Sequence, residues 1–247
     1  MAIVLVHGNP EVAAIWGPML DELGRDDVVA LSPPGFGAPV PEGFGSTAPE
    51  YAAWLVDELR AIDGPIHLIG HDWGGGHVIN AMLRAPDVAT SVTTDVAGIF
   101  APGYEWHDMA QLWRTPGVGE DTVAAMAGGD LADRIAFFAN LGMVPSAASA
   151  CAEHVVEMGP SILALYRSAD EALLARAGRD VADLEGRPDL HVIVATDDPY
   201  TGGSDRAHAT ATAWDATVHV LDGLGHWWMM QDPRRAADVV RAIVGDG

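Results

Sequence analysis

The chain has 247 residues, 49% of them hydrophobic, enough to fill one sizeable core without a second domain. All 13 basic residues are arginine against 35 acidic ones, and a formal charge of -22 argues against nucleic acid and anionic membranes as partners. The single Cys151 excludes an internal disulfide and is read as a buried small residue, while the apolar run Ala2 to Val6 is too short for a signal peptide or a membrane span; a cytoplasmic location is expected.

In chain order, a first strand at Ile3-Val6 runs into His7-Gly8-Asn9-Pro10, and a second follows at Val28-Leu31. Thr47, Pro49 and Glu50 then form the start of a helix, a T-x-x-E capping box whose apolar stripe is Tyr51, Leu55, Leu59 and Ile62. The third strand, Ile66-Gly70, passes through His71-Asp72-Trp73 into a Gly-rich helix start, and the fourth is Ser91-Val96. Residues 100-185 have helical composition with Gly/Pro punctuation and no convincing strand, which predicts a helical cap between core segments 1-99 and 186-247. The fifth and sixth strands are His191-Ala195 and Thr217-Leu221, followed by a Gly223-Leu224-Gly225-His226 loop and a last helix opened by Gln231-Asp232-Pro233. Strands alternating with helices, and strands apolar on both faces, predict an α/β fold with a mostly parallel sheet.

The segment Gly70-His71-Asp72-Trp73-Gly74-Gly75 has the pattern small-x-nucleophile-x-small-small between a strand and a helix, the signature of a nucleophile elbow. Its central residue is Asp72. A carboxylate is ionised near neutrality without help from a base, and it forms an ester by displacement at a saturated carbon. His226, in a Gly-flanked loop beyond the last strand, is best placed of the ten histidines to act as base. His67, His191 and His219 fall on strands, and His71 and His77 flank the elbow, where local hydrogen bonds are expected. The acid that orients His226 is expected to be Asp198, with Asp95 the alternative; Asp197 and Asp222 read as turn residues.

Together, HGNP at His7 to Pro10, GHDWGG at Gly70 to Gly75, the acid after the fifth strand, and GHWW with QDP near the end resemble the aspartate-nucleophile branch of the α/β-hydrolase superfamily, which includes haloalkane dehalogenases and epoxide hydrolases. The resemblance implies an α/β-hydrolase fold with six strands in the order 2-1-3-4-5-6, lacking the two further N-terminal strands usual in the family. It also implies an oxyanion hole from the backbone amides of Asn9 and Trp73. No metal or organic cofactor is expected, since no His/Cys cluster has metal-ligand spacing; the partners are a small, mainly apolar organic substrate and water.

Two chemistries compete within that resemblance. A dehalogenase-like site would hold the halide with the Trp73 indole and the Asn9 amide. An epoxide hydrolase-like site would polarise oxygen with cap tyrosines, and Tyr166 matches one of them. Met109 stands where the second would be, leaving Tyr104 as the nearby substitute, and Trp106 and Trp113 are expected near the pocket. Carbon-halogen cleavage is the first expectation and epoxide hydrolysis the second. An esterase or lyase activity, or a non-catalytic ligand-binding role, stands behind them.

Overall fold

A computed structural model of the protein describes residues 1–245. Six parallel strands form one sheet in the order β2-β1-β3-β4-β5-β6. The elements run β1 (Ala2–Val6), α1 (Gly17–Leu23), β2 (Val28–Leu31), α2 (Ala48–Arg60), β3 (Ile66–Gly70), α3 (Trp73–Arg84) and β4 (Ser91–Thr94). Five helices then intervene: α4 (Asp108–Arg114), α5 (Val118–Ala127), α6 (Leu131–Asn140), α7 (Pro145–Ser168) and α8 (Glu171–Ala182). The core resumes with β5 (Asp189–Ala195), α9 (Ser204–Ala213), β6 (Thr217–Leu221), α10 (Trp228–Gln231) and α11 (Pro233–Val244).

Burial explains the strand compositions. All five residues of β1 are buried, and the neighbouring β3 and β4 are nearly so, because helices cover both faces of the central sheet. The edge strands β2 and β6 are half exposed, and each carries an exposed valine, Val29 and Val220. β4 stops at Thr94, two residues short of its sequence-based end, because the Asp95 side chain turns to the elbow and the Thr94 hydroxyl bonds the Val96 N–H. The α2 start is realised through its glutamate: Glu50 accepts from the Gly45 and Thr47 amides at 2.9 and 3.0 Å and from the Thr47 hydroxyl at 2.6 Å.

Helices α4 to α7 pack on one another between β4 and β5, whereas α8 runs back against α3. The 24-residue α7 is tied to the core along its length. Buried Cys151 meets the backbone of Val12, the Ser161 hydroxyl lies 3.1 Å from that of Ser46, and Ser168 Oγ accepts from the Ala48 N–H at 2.9 Å. Among the described residues no helix is long and apolar enough to cross a membrane.

Candidate active site

Asp72 sits in the turn from β3 to α3 with φ +52° and ψ -126°, a backbone conformation rarely adopted by residues with side chains. Glycines permit the bend. A Cβ at Gly70 would overlap the Gly74 carbonyl, one at Gly74 would overlap the Val6 carbonyl, and one at Gly8 would occupy the space of the Asp72 carboxylate. Hydrogen bonds hold the strained turn in place: the His71 N–H donates to the Val6 carbonyl at 2.9 Å and the Asp72 N–H to Asp95 Oδ1 at 3.0 Å.

The two oxygens of Asp72 have different surroundings. Oδ1 accepts from the Asn9 N–H at 3.1 Å, and the Trp73 N–H also bonds to the carboxylate. Oδ2 faces His226 Nε2 at 3.8 Å, beyond hydrogen-bonding distance. His226 Nδ1 donates to Asp198 Oδ2 at 2.8 Å, and Asp198 Oδ1 accepts from the Tyr200 N–H at 2.8 Å. With the proton committed to Nδ1, the neutral ring turns a lone pair on Nε2 toward Asp72. The loop carrying His226 is fixed from below, where Gln231 Oε1 accepts from the Gly225 N–H at 2.6 Å.

Burial raises the Asp72 carboxyl to about 6, with the charge of His226 working against the rise. Burial would also raise Asp198, but the charge of His226 and its hydrogen bond outweigh that and hold Asp198 below the usual carboxylate range. For His226 burial opposes the charged form, and Asp198 overrides it, so the imidazole lies above its ordinary 6.5.

Asp95, the alternative acid, does not face His226. Its Oδ2 accepts from His71 Nδ1 at 2.5 Å and from the Trp228 indole at 2.8 Å, so the side chain is spent on supporting the elbow. His71 in turn donates from Nε2 to Glu11 Oε1 at 3.2 Å. Two carboxylate partners require hydrogens on both ring nitrogens, so His71 is a buried imidazolium, held well above 6.5 by Glu11 and Asp95 against the opposing effect of burial. Glu11, which the sequence reading did not single out, is fully buried and also accepts from the Gly8 N–H at 3.1 Å and the Trp227 indole at 2.6 Å. Burial alone would raise Glu11; His71 reverses this and brings it down to about 2. Its only sequence signal is an acid directly after HGNP at the head of an apolar run.

Candidate ligand atoms of Glu11, His71 and His226 lie within 4.8 Å of one another. Each is already committed: Glu11 Oε1 to His71 and Trp227, His71 to two carboxylates, and His226 Nδ1 to Asp198. This donor set fits a hydrogen-bond network rather than a cation.

A cavity of about 400 Å³ opens over Asp72 and His226, walled largely by apolar cap residues such as Met126, Phe137 and Leu141. Asn9, Trp113 and Tyr166 also line it. Both polar atoms of the Asn9 side chain and the Trp113 indole nitrogen are buried without a hydrogen-bond partner. Burial drives the Tyr166 hydroxyl well above 10.

Several side chains expected at the pocket are elsewhere. The Trp73 ring does not border the cavity: it stacks on Trp106 at 5.6 Å and meets Tyr166 edge-on at 5.2 Å, which turns its indole away from a departing group. Trp106 donates to the Ala169 carbonyl at 3.3 Å and borders a surface groove. Tyr104 donates to the Tyr200 carbonyl at 3.4 Å and faces an outer cleft, so it is no substitute for the missing tyrosine; Met109 does line the cavity. His77 makes no local hydrogen bond through Nδ1 and stacks on Tyr51 at 4.6 Å, and burial holds it neutral, lowered to about 3.

Residues 3–239 match the model of the alpha/beta hydrolase family, and the chain belongs to that family. A putative non-heme haloperoxidase of Mycobacterium phage D29 is 27% identical over 272 residues, covering 99% of this chain and 87% of that protein. Among solved structures, E-2-(acetamidomethylene)succinate hydrolase superposes with a TM-score of 0.75 at 16% identity, over 98% of this chain and 91% of the other. A haloalkane dehalogenase from Bradyrhizobium elkani superposes with a TM-score of 0.68 at 18% identity, over 98% and 90%. At such identities the structural likenesses establish the fold alone.

Proposed function

We propose that the protein is a hydrolase of small, mainly apolar haloalkanes that works through an ester on Asp72. The observation that carries this reading is the Asn9 side-chain amide, buried and unpartnered in the wall of the cavity whose floor is a carboxylate. A donor left unsatisfied beside a nucleophile suits a leaving group that arrives neutral and departs as an anion. The Trp113 indole, equally unpartnered, is the second donor in place of Trp73.

Asp72 Oδ2, free of the amide pocket, attacks the carbon in line, and the carbon-halogen electron pair leaves with the halide. Oδ1 stays on the Asn9 N–H and becomes the ester carbonyl oxygen, so this amide, with the neighbouring Trp73 N–H, receives the oxyanion in the next step. Water then adds to Cγ as His226 Nε2 takes its proton, and His226 returns the proton to the departing alcohol as the bond from Cγ to the alkyl-bearing oxygen breaks. The product alcohol therefore carries an oxygen that belonged to Asp72.

A second reading is epoxide hydrolysis, favoured by Tyr166, a hydroxyl-bearing residue in the cavity wall that suits protonation of an epoxide oxygen. The test is His226→Phe incubated separately with haloalkane and epoxide panels, followed by intact-mass measurement. A haloalkane adduct mapped to Asp72 supports the first reading, and an adduct from epoxides alone supports the second. Turnover of p-nitrophenyl esters with no adduct from either panel rejects both. In the native enzyme, one turnover in ¹⁸O-water should label Asp72 and leave the alcohol unlabelled.

A further inference from the structure

The cavity over Asp72 shares a wall with an outer cleft of about 360 Å³ bordered by Glu105, Arg206 and the backbone of Gly103 and Gly202. Among the described residues, His107 and Tyr200 alone border both spaces. Their rings meet edge to face with centroids 5.2 Å apart, and Tyr200 also lies edge-on to His226 at 5.0 Å. The partition is thus a single layer made of these two residues, and it adjoins the imidazole that must hold a water.

Its chemistry differs from that of the apolar stretch the cap supplies. His107 Nδ1 accepts from the Ala110 N–H at 3.3 Å, which places the ring hydrogen on Nε2, and burial lowers His107 to about 4, so the ring stays a neutral donor. The Tyr200 hydroxyl both donates and accepts. These are groups along which a water can pass, whereas the cap side of the cavity is largely apolar, with Met109, Met126, Phe137 and Leu141.

The reaction needs such a passage. With an apolar alkyl group bonded to Asp72 in the cavity, the second step still requires one water at His226 Nε2 and Cγ. We propose that the His107–Tyr200 pair is the port through which the hydrolytic water enters from the outer cleft, separately from the substrate. The inference rests on the covalent reading above and adds Tyr200 as a positioning residue for its second step only.

Tyr200 suits a direct test because its link to Asp198 runs through its backbone N–H, which any residue except proline retains. Tyr200→Trp fills the partition and Tyr200→Ala opens it. Rapid-quench halide release reads ester formation, and intact mass reads ester decay. In Tyr200→Trp the decay should slow about tenfold with ester formation unchanged, while Tyr200→Ala decays at least as fast as the native enzyme. Native decay in Tyr200→Trp overturns the port. So does equal slowing in both variants, which would make the ring a packing support for His226. A His226→Phe protein that forms an ester with neither panel removes the covalent reading itself, a result visible before any Tyr200 variant is made.

Discussion

In the proposed reaction Asp72 must be buried to meet an apolar substrate and ionised to attack it, and the two demands oppose each other. Burial lifts its carboxyl to about 6, and His226 limits the rise. His226 must be neutral to accept a proton, yet Asp198 holds it above 6.5. Both groups act in their deprotonated forms, so both steps slow on the acid side. Ester formation should fall as pH drops through about 6, where Asp72 takes up a proton, whereas ester decay should already fall at a higher pH, where His226 becomes charged. Single-turnover rates measured between pH 5 and pH 9 check the order of the two limbs; an ester-formation limb above the decay limb would contradict it. The juxtaposition of Asp72, His226 and Asp198 was legible in the sequence, because a strained bend needs its glycines and a histidine beyond the last strand needs a loop to reach back to it. The direction of the Trp73 side chain was not. It depends on Trp106 and Tyr166, which come from the inserted helices, and no spacing near residue 73 records that packing.

At the scale of elements, strands and helices were readable from period and caps, and their errors fall at strand ends: β4 stops short where the Asp95 side chain leaves the ladder, and β5 begins two residues early, at Asp189, which pairs with Ser91. The tie among loops was hidden. Glu11 joins the turn after β1, the elbow after β3 and the loop after β6, and its bond to Trp227 spans 216 positions of sequence. Glu11→Ala would leave the His71 imidazolium buried with one partner, a change expected to cost about 3–5 kcal/mol. Urea denaturation at pH 7 measures it. Glu11 has a folded value of about 2 against an ordinary 4.5, so its contribution is complete above 4.5 and lost as pH falls toward 2. The gap between native and variant should narrow over that interval, and a gap that stays constant would mean that Glu11 acts through shape rather than charge.

For the whole molecule, a formal charge of -22 with no lysine leaves arginines as the side-chain counterweight to 35 acids. Exposed pairs such as Arg167 with Glu120 engage few of these, and the net repulsion opposes the compact state. Raising sodium chloride from 10 mM to 0.5 M should therefore raise Tm, by about 2–4 °C for each kcal/mol of repulsion screened. A lower Tm in salt would show that the surface pairs outweigh the repulsion. The anchoring of α7 matters at this scale too, because it meets the core at Val12, Ser46 and Ala48. A roof fastened at three points does not swing open as a hinged lid. Under the proposed function, reagents should then be sorted at the threshold by girth, before reactivity counts, with a bulky compound refused despite an excellent leaving group where a slender, sluggish one is admitted.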